Sequence, residues 1–211
     1  MTETEQYKEL TRQDLLQIFP FFGERSLFVD RVRVLQNSDG TVGNRAIGEW
    51  TVRPEPCTDH FKPDEKVNIQ LLPGHFWPEL LGQTLGVLAF VKQPEMVGEV
   101  LPSYDFVAQI RYKEAVFVGD KVNLCVELTE LTEPDKHGRR SIIGRGVGVY
   151  NEEPLAGVFA MKIDILPKRL GMKGLERIRR KHLAESPPAS FSQFDRYFAE
   201  IFVSAQELRE T

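Results

Sequence analysis

Four histidines, His60, His75, His137 and His182, and one isolated glutamate, Glu79, are the residues of this chain best suited to moving protons. Two of the histidines and the glutamate fall within "DHFKPDEKVNIQLLPGHFWPELLGQTLG", residues 59–86, where Glu79 is the only acid between Glu65 and Glu95 and heads an apolar run. Enclosing a carboxylate costs several kcal/mol or holds it protonated unless partners satisfy it. A protonatable enclosed acid is also what general-acid catalysis requires. The bland alternative is a helix-start glutamate favoured by the helix dipole. His60 and His75 are each followed by Phe, and either can be paired with Glu79 on residue type alone. His75 and Glu79, at i and i+4, share a helix face and can touch, which leaves little room for a substrate between them; His60 comes from a separate loop.

The other candidates for chemistry are weaker. Cys57 and Cys125 are far apart and lack CxxC spacing, so neither a disulfide framework nor a zinc site is indicated. The Cys57-x-x-His60 pair offers two ligands and no second pair completes a tetrahedral set. No metal is expected. Gly144, Gly146 and Gly148 alternate inside a strand pattern, whereas a phosphate-binding loop needs a strand-to-helix junction. Close packing or bending explains them better. His137, in "DKHGRR", reads as a solvated turn residue and His182 as part of a basic helix surface.

The elements that must position these residues follow from pattern. "TRQDLLQIF" reads as a short helix capped by Thr11, with Asp14 in its first turn and Pro20 ending it. "SLFVDRVRVLQ" predicts a strand near 27–35, turning at "NSDG" into a second near 43–52. Prolines at 54, 56, 63 and 73 punctuate a long loop, and such a loop inside a compact domain is usually functional. "GHFWPELLGQTLGVLAFV", residues 74–91, predicts an enclosed helix to about Lys92, with Pro78 tolerated in the first turn. As a membrane span it is barely long enough and carries His, Pro, Glu and Gln. Four further strands are expected at about 104–112, 121–132, 139–150 and 154–165, in antiparallel meandering pairs. An antiparallel sheet wrapped around one buried helix is the simplest architecture that encloses it.

Four ordered stretches resemble the hot-dog-fold 3-hydroxyacyl-acyl-carrier-protein dehydratases of fatty-acid synthesis. That family carries "GHFPG…PxMPGVLxxExxAQ", beside "DHFKPD" and "LLPGHFWPELLGQTLGVLAF" here. "SLFVDRV" resembles its "FLLVDRV", and "IRYKEAVFVGDKVNLCVEL" its "FRRPVVPGDxLxLEVEL". The likeness covers about residues 8–166. Matching Pro73-Gly74 to the family's Pro-Gly places Glu79 and Gln83 on its Glu and Gln. That register makes His60 the catalytic histidine and His75 an ordinary helix-start residue. Asp59 in place of the family's Gly and a loop about five residues longer are departures that bear on substrate choice.

The resemblance implies an α+β hot-dog fold, homodimeric or an oligomer of dimers, with His and Glu of each site drawn from different subunits. It implies a hydro-lyase acting on 3-hydroxyacyl groups on acyl carrier protein, with His60 as base, Glu79 as acid and the helix start at Gly74 receiving the thioester oxygen. Phe61, Trp77 and Gln83 are candidates for the tunnel or for support of the catalytic pair. No metal or redox cofactor is required. A hot-dog thioesterase using Glu79 to activate water, and a non-catalytic acyl-binding subunit, are the rival readings.

Residues 1–166 are expected to form the domain and 167–211 a helical appendage. The appendage carries a basic cluster that includes Arg177, Arg179 and Arg180, then a stripe of Phe191, Phe194, Phe198, Ile201, Ala205 and Leu208 at helical spacing. The cluster reads as a solvated helix face or as a dock for an acidic carrier. A net charge of −4, 41% hydrophobic and 27% charged residues argue against a polybasic nucleic-acid binder and against a disordered chain. The acidic, polar "MTETEQYKEL" lacks the features of a secretory signal, and a cytoplasmic location is expected.

Overall fold

A computed structural model describes residues 6–20, 22, 26–54, 72, 74–98, 100–107, 115–155 and 159–167. Strand β1 (Gln6–Thr11) runs into helix α1 (Arg12–Ile18), followed by β2 (Arg31–Gln36), β3 (Val42–Thr51), helix α2 (Phe76–Lys92) and β4 (Val100–Val107). The chain continues through β5 (Lys121–Leu131), β6 (Arg140–Tyr150), the two-residue β7 (Glu153–Pro154) and β8 (Phe159–Pro167). The sheet order is β1-β2-β3-β5-β6-β8-β4, with β7 paired to β6, and all of these pairings are antiparallel.

Local chemistry accounts for the expected elements. At α1, Thr11 accepts from the Asp14 amide and Asp14 accepts from the Thr11 amide at 2.8 Å, a reciprocal capping box that satisfies amides at the helix start. The β2–β3 hairpin turns at Gly40, whose φ of +80° suits glycine, while Asp39 Oδ1 accepts from the Thr41 amide at 2.9 Å. Two corrections to the sequence reading concern the sheet. β1 was not expected: it is a polar strand with Leu10 as its single buried residue, added at the edge beside β2. β4 does not pair with β5 in a meander; it crosses to the far edge and pairs with β8.

Helix α2 is enclosed because it is apolar all round: every residue from Leu80 to Phe90 is buried. It packs on β3, β5 and β6. The approach is close because the strands present glycines to it. A Cβ on Gly148, Gly146 or Gly144 would fall under 3.0 Å from Trp77, Leu81 and Leu85 respectively, and one on Gly48 would meet Thr84. The helix residues 77, 81 and 85 are spaced by one turn each, and the glycines 148, 146 and 144 share one strand face. The alternating glycines are thus a groove for one helix ridge. At the other end of α2, Lys92 Nζ donates to Val42 O at 2.8 Å and to Asn44 Oδ1 at 2.7 Å, and Arg140 donates to Gln93. Both ends of the helix axis are therefore referenced to the sheet.

Candidate active site

The first two turns of α2 meet the segment Ser26–Asp30 that leads into β2. Glu79 is half-buried in the first turn, and Gln83, one turn on, is 2% exposed. Gln83 Nε2 donates to Glu79 Oε1 at 2.8 Å and to Ser26 O at 2.8 Å, while its Oε1 accepts from the Phe28 amide at 2.9 Å. An amide side chain has two N–H donors, and both are used here. A buried polar group so satisfied costs the fold little and holds its neighbours in one arrangement.

The segment that receives Gln83 is itself tied down by two arginines. Arg12, at the start of α1, donates to Leu27 O at 2.8 Å and Val29 O at 3.3 Å. Arg53, beyond β3, donates to Phe28 O at 3.2 Å and to Asp30 Oδ1 at 2.8 Å. Asp30 also accepts from the Thr51 amide at 2.9 Å and lies 3.7 Å from Arg12. These bonds give a physical reason for the "SLFVDRV" stretch: its Asp binds two arginines and its main chain serves Gln83. They also explain why β2 begins at Arg31 rather than near 27, since the carbonyls of Leu27, Phe28 and Val29 point to arginine side chains.

Aromatic rings line the same end of α2. Phe28 packs edge-on to Phe76 with centroids 5.5 Å apart and to Trp50 at 6.3 Å. Trp50 is fully buried. Trp77 is 3% exposed and seated on Gly148, so its indole is core packing. Gly74 is in the turn before α2 and its carbonyl accepts from the Trp77 amide at 3.2 Å. His75, at the N-cap, is exposed, makes no side-chain cap bond and lies 4.7 Å from the Phe76 ring. The helix start carries the positive end of the α2 dipole.

Of the residues singled out from the sequence, Glu79, Gln83, Gly74 and Trp77 gather at this helix start. His60, Phe61, Asp59 and the Arg177, Arg179 and Arg180 cluster lie outside the described residues, as does the stripe from Phe191 to Leu208. The contributors to this hydrogen-bonded arrangement that sequence reasoning missed are Arg12, Arg53 and the main chain of Ser26 and Phe28. Among the described residues no group of three or more His, Cys, Asp or Glu side chains is arranged to hold a metal ion, and no helix is long and apolar enough to cross a membrane.

No family model matches the chain. A curated relative, the 3-hydroxyacyl-[acyl-carrier-protein] dehydratase FabZ of Actinobacillus succinogenes, is 37% identical over 128 residues, which is 60% of this chain and 73% of the relative. Among solved structures, the dehydratase heterocomplex ApeI:P from Xenorhabdus doucetiae matches with a TM-score of 0.53 at 15% identity, covering 78% of this chain and 95% of that chain. The fold is the hot-dog fold, an antiparallel sheet around a central helix.

Proposed function

The chain belongs to the family of 3-hydroxyacyl-[acyl-carrier-protein] dehydratases, and from that premise we propose that it removes water from 3-hydroxyacyl thioesters held on acyl carrier protein. The observation that carries the reading is Glu79: a half-buried carboxyl in the first turn of an enclosed, largely apolar helix, bonded on one oxygen by Gln83. A carboxyl placed so can face a substrate with its second oxygen.

In the proposed reaction His60 takes the proton from Cα of the acyl chain. The electron pair of that C–H bond becomes the C2–C3 double bond, and the C3–O bond breaks as Glu79 protonates the departing hydroxyl. Water and a trans-2-enoyl thioester leave. The charge that develops on the thioester oxygen falls at the start of α2 near Gly74, where main-chain N–H groups and the helix dipole favour it. Phe61, next to His60 in sequence, is assigned to the substrate tunnel or to support of the catalytic pair. His60 and Glu79 are assigned to different subunits of a homodimer, following the family pattern.

Incubation with 3-hydroxyacyl- and enoyl-carrier substrates, followed by intact-mass measurement, tests the reaction. Loss of water from the first and gain by the second are expected. Release of free acid, or retention of both substrates unchanged, would overturn it. His60→Ala and Glu79→Gln should each lower turnover by about 10²–10⁴-fold in a folded protein, and His75→Ala far less.

A further inference from the structure

We propose that Gln83 fixes which oxygen of Glu79 can carry the catalytic proton, and that Arg12 sets Gln83 through the main chain of residues 26–29. The proposal rests on the reading of Glu79 as the acid. The amide of Gln83 has two orientations of similar shape and opposite polarity. One places Oε1 against the Phe28 amide and Nε2 against Ser26 O, at 2.9 and 2.8 Å. The flipped form opposes two donors at Phe28 and two acceptors at Ser26, which buried groups do not tolerate. The main chain therefore selects the orientation, and the remaining N–H of Nε2 can only donate, which it does to Glu79 Oε1 at 2.8 Å. Oε1 is thereby an obligate acceptor. When Glu79 is a neutral acid its proton sits on Oε2, the oxygen not held by Gln83.

The selecting groups are held by Arg12, whose two Nη atoms bridge Leu27 O and Val29 O, flanking Phe28. Arg12 acts through the main chain of residues 26–29; it is a positioning residue. Among the described residues the charged groups about Gln83 are Glu79 on its own helix, and Arg12, Asp30 and Arg53 around the receiving segment.

Gln83→Glu tests the polarity at nearly constant shape. The introduced carboxylate still accepts from the Phe28 amide but turns an oxygen toward Ser26 O and Glu79. At neutral pH kcat should fall about a hundredfold with KM little changed, as for a misplaced catalytic group. As pH is lowered from about 8 toward about 5, the introduced carboxyl, buried and facing the Ser26 carbonyl oxygen, regains a proton and with it a donor, so the variant-to-wild-type ratio of kcat should climb. A ratio that stays flat with pH, or a variant with wild-type kcat, overturns the proposal. Arg12→Met, outside α2, should lower kcat about tenfold with KM unchanged, by partial misplacement. If the Gln83→Glu chain fails to fold, Arg12→Met decides alone, and an unchanged kcat overturns the relay. Glu79→Gln is the separating control: full turnover there sinks the assignment of the acid itself, whereas a dead Glu79→Gln enzyme with a pH-insensitive Gln83→Glu ratio sinks only the role of Gln83.

Discussion

Trp77 lies directly over Gly148, so near that no Cβ fits between the indole and the strand. The contact is the first of three between α2 and the glycines of β6, and Trp77 shares the first turn of α2 with Glu79. Gly148→Ala should therefore destabilise the protein by about 1–3 kcal/mol through overpacking, measured as a lower urea midpoint with unchanged slope. Gly40→Ala, where a Cβ has open space but φ is +80°, should cost about 1 kcal/mol. Equal stability of the Gly148→Ala and wild-type chains would remove the ridge-and-groove account of how α2 is seated.

Acid should loosen the sheet at Glu49, which is 6% exposed among Arg31, Arg33 and Lys121. Burial alone would push its carboxyl up, but hydrogen bonds and charge from Arg31 and Lys121 outweigh burial and hold it below the ordinary value of 4.5. A depressed carboxylate contributes stability that is full above its unfolded-state value and drains away as pH falls through the folded one. Thermal midpoints of the wild type should therefore drop as pH falls below 4.5, and Glu49→Gln should lie lower at neutral pH but flatten that part of the curve. Parallel curves for the two proteins would show that Glu49 is not a source of the acid sensitivity.

Mixing tests the proposed sharing of sites between subunits. His60→Ala and Glu79→Gln chains, each inactive, should regain activity when subunits are exchanged under mild denaturant. In random dimers about half are mixed, each with one intact site of two, so about a quarter of wild-type activity is expected. Demonstrated exchange without activity would place both residues in one subunit's site or dismiss the pair.

The basic cluster offers a test of carrier recognition. Reversing Arg177, Arg179 and Arg180 to Glu should raise KM for carrier-bound substrate, more strongly at low salt, and leave a small neutral thioester analogue unaffected. Equal effects on both substrates, or none on either, would leave the cluster as a solvated surface.

Sequence pattern exposed the parts of this molecule whose physics is local. α2 announces itself by an unbroken apolar run, the first hairpin by Asn37–Gly40, α1 by Thr11 and Asp14, and the glycines of β6 by their alternation. β1 escaped because an edge strand needs one buried side chain, Leu10, and takes the rest of its stability from main-chain bonds to β2. The placement of β4 beside β8 escaped because strand pairing across the sheet is not written in either strand's periodicity. At the site, Glu79 stood out as an isolated acid in an apolar run, and Gln83 came from the resemblance to the dehydratase motif. Their counterparts at Ser26 and Phe28 were not legible, since a carbonyl or an amide hydrogen belongs to every residue alike.

The pairing of Thr51 with Lys121 joins two strands between which the whole of α2 and β4 must pass. That makes the β3–β5 seam a long-range step of folding, one that closes the chain around α2. Closing such a loop forfeits chain entropy before any contact repays it. The helix should therefore already be docked on β5 and β6 when the seam forms. Leu85→Ala, at the Gly144 contact, should slow refolding by nearly its full loss of stability, while Leu10→Ala on β1 should chiefly speed unfolding. Stopped-flow refolding in urea separates the two limbs, and the reverse pattern would mean that the sheet assembles first and the helix is admitted late.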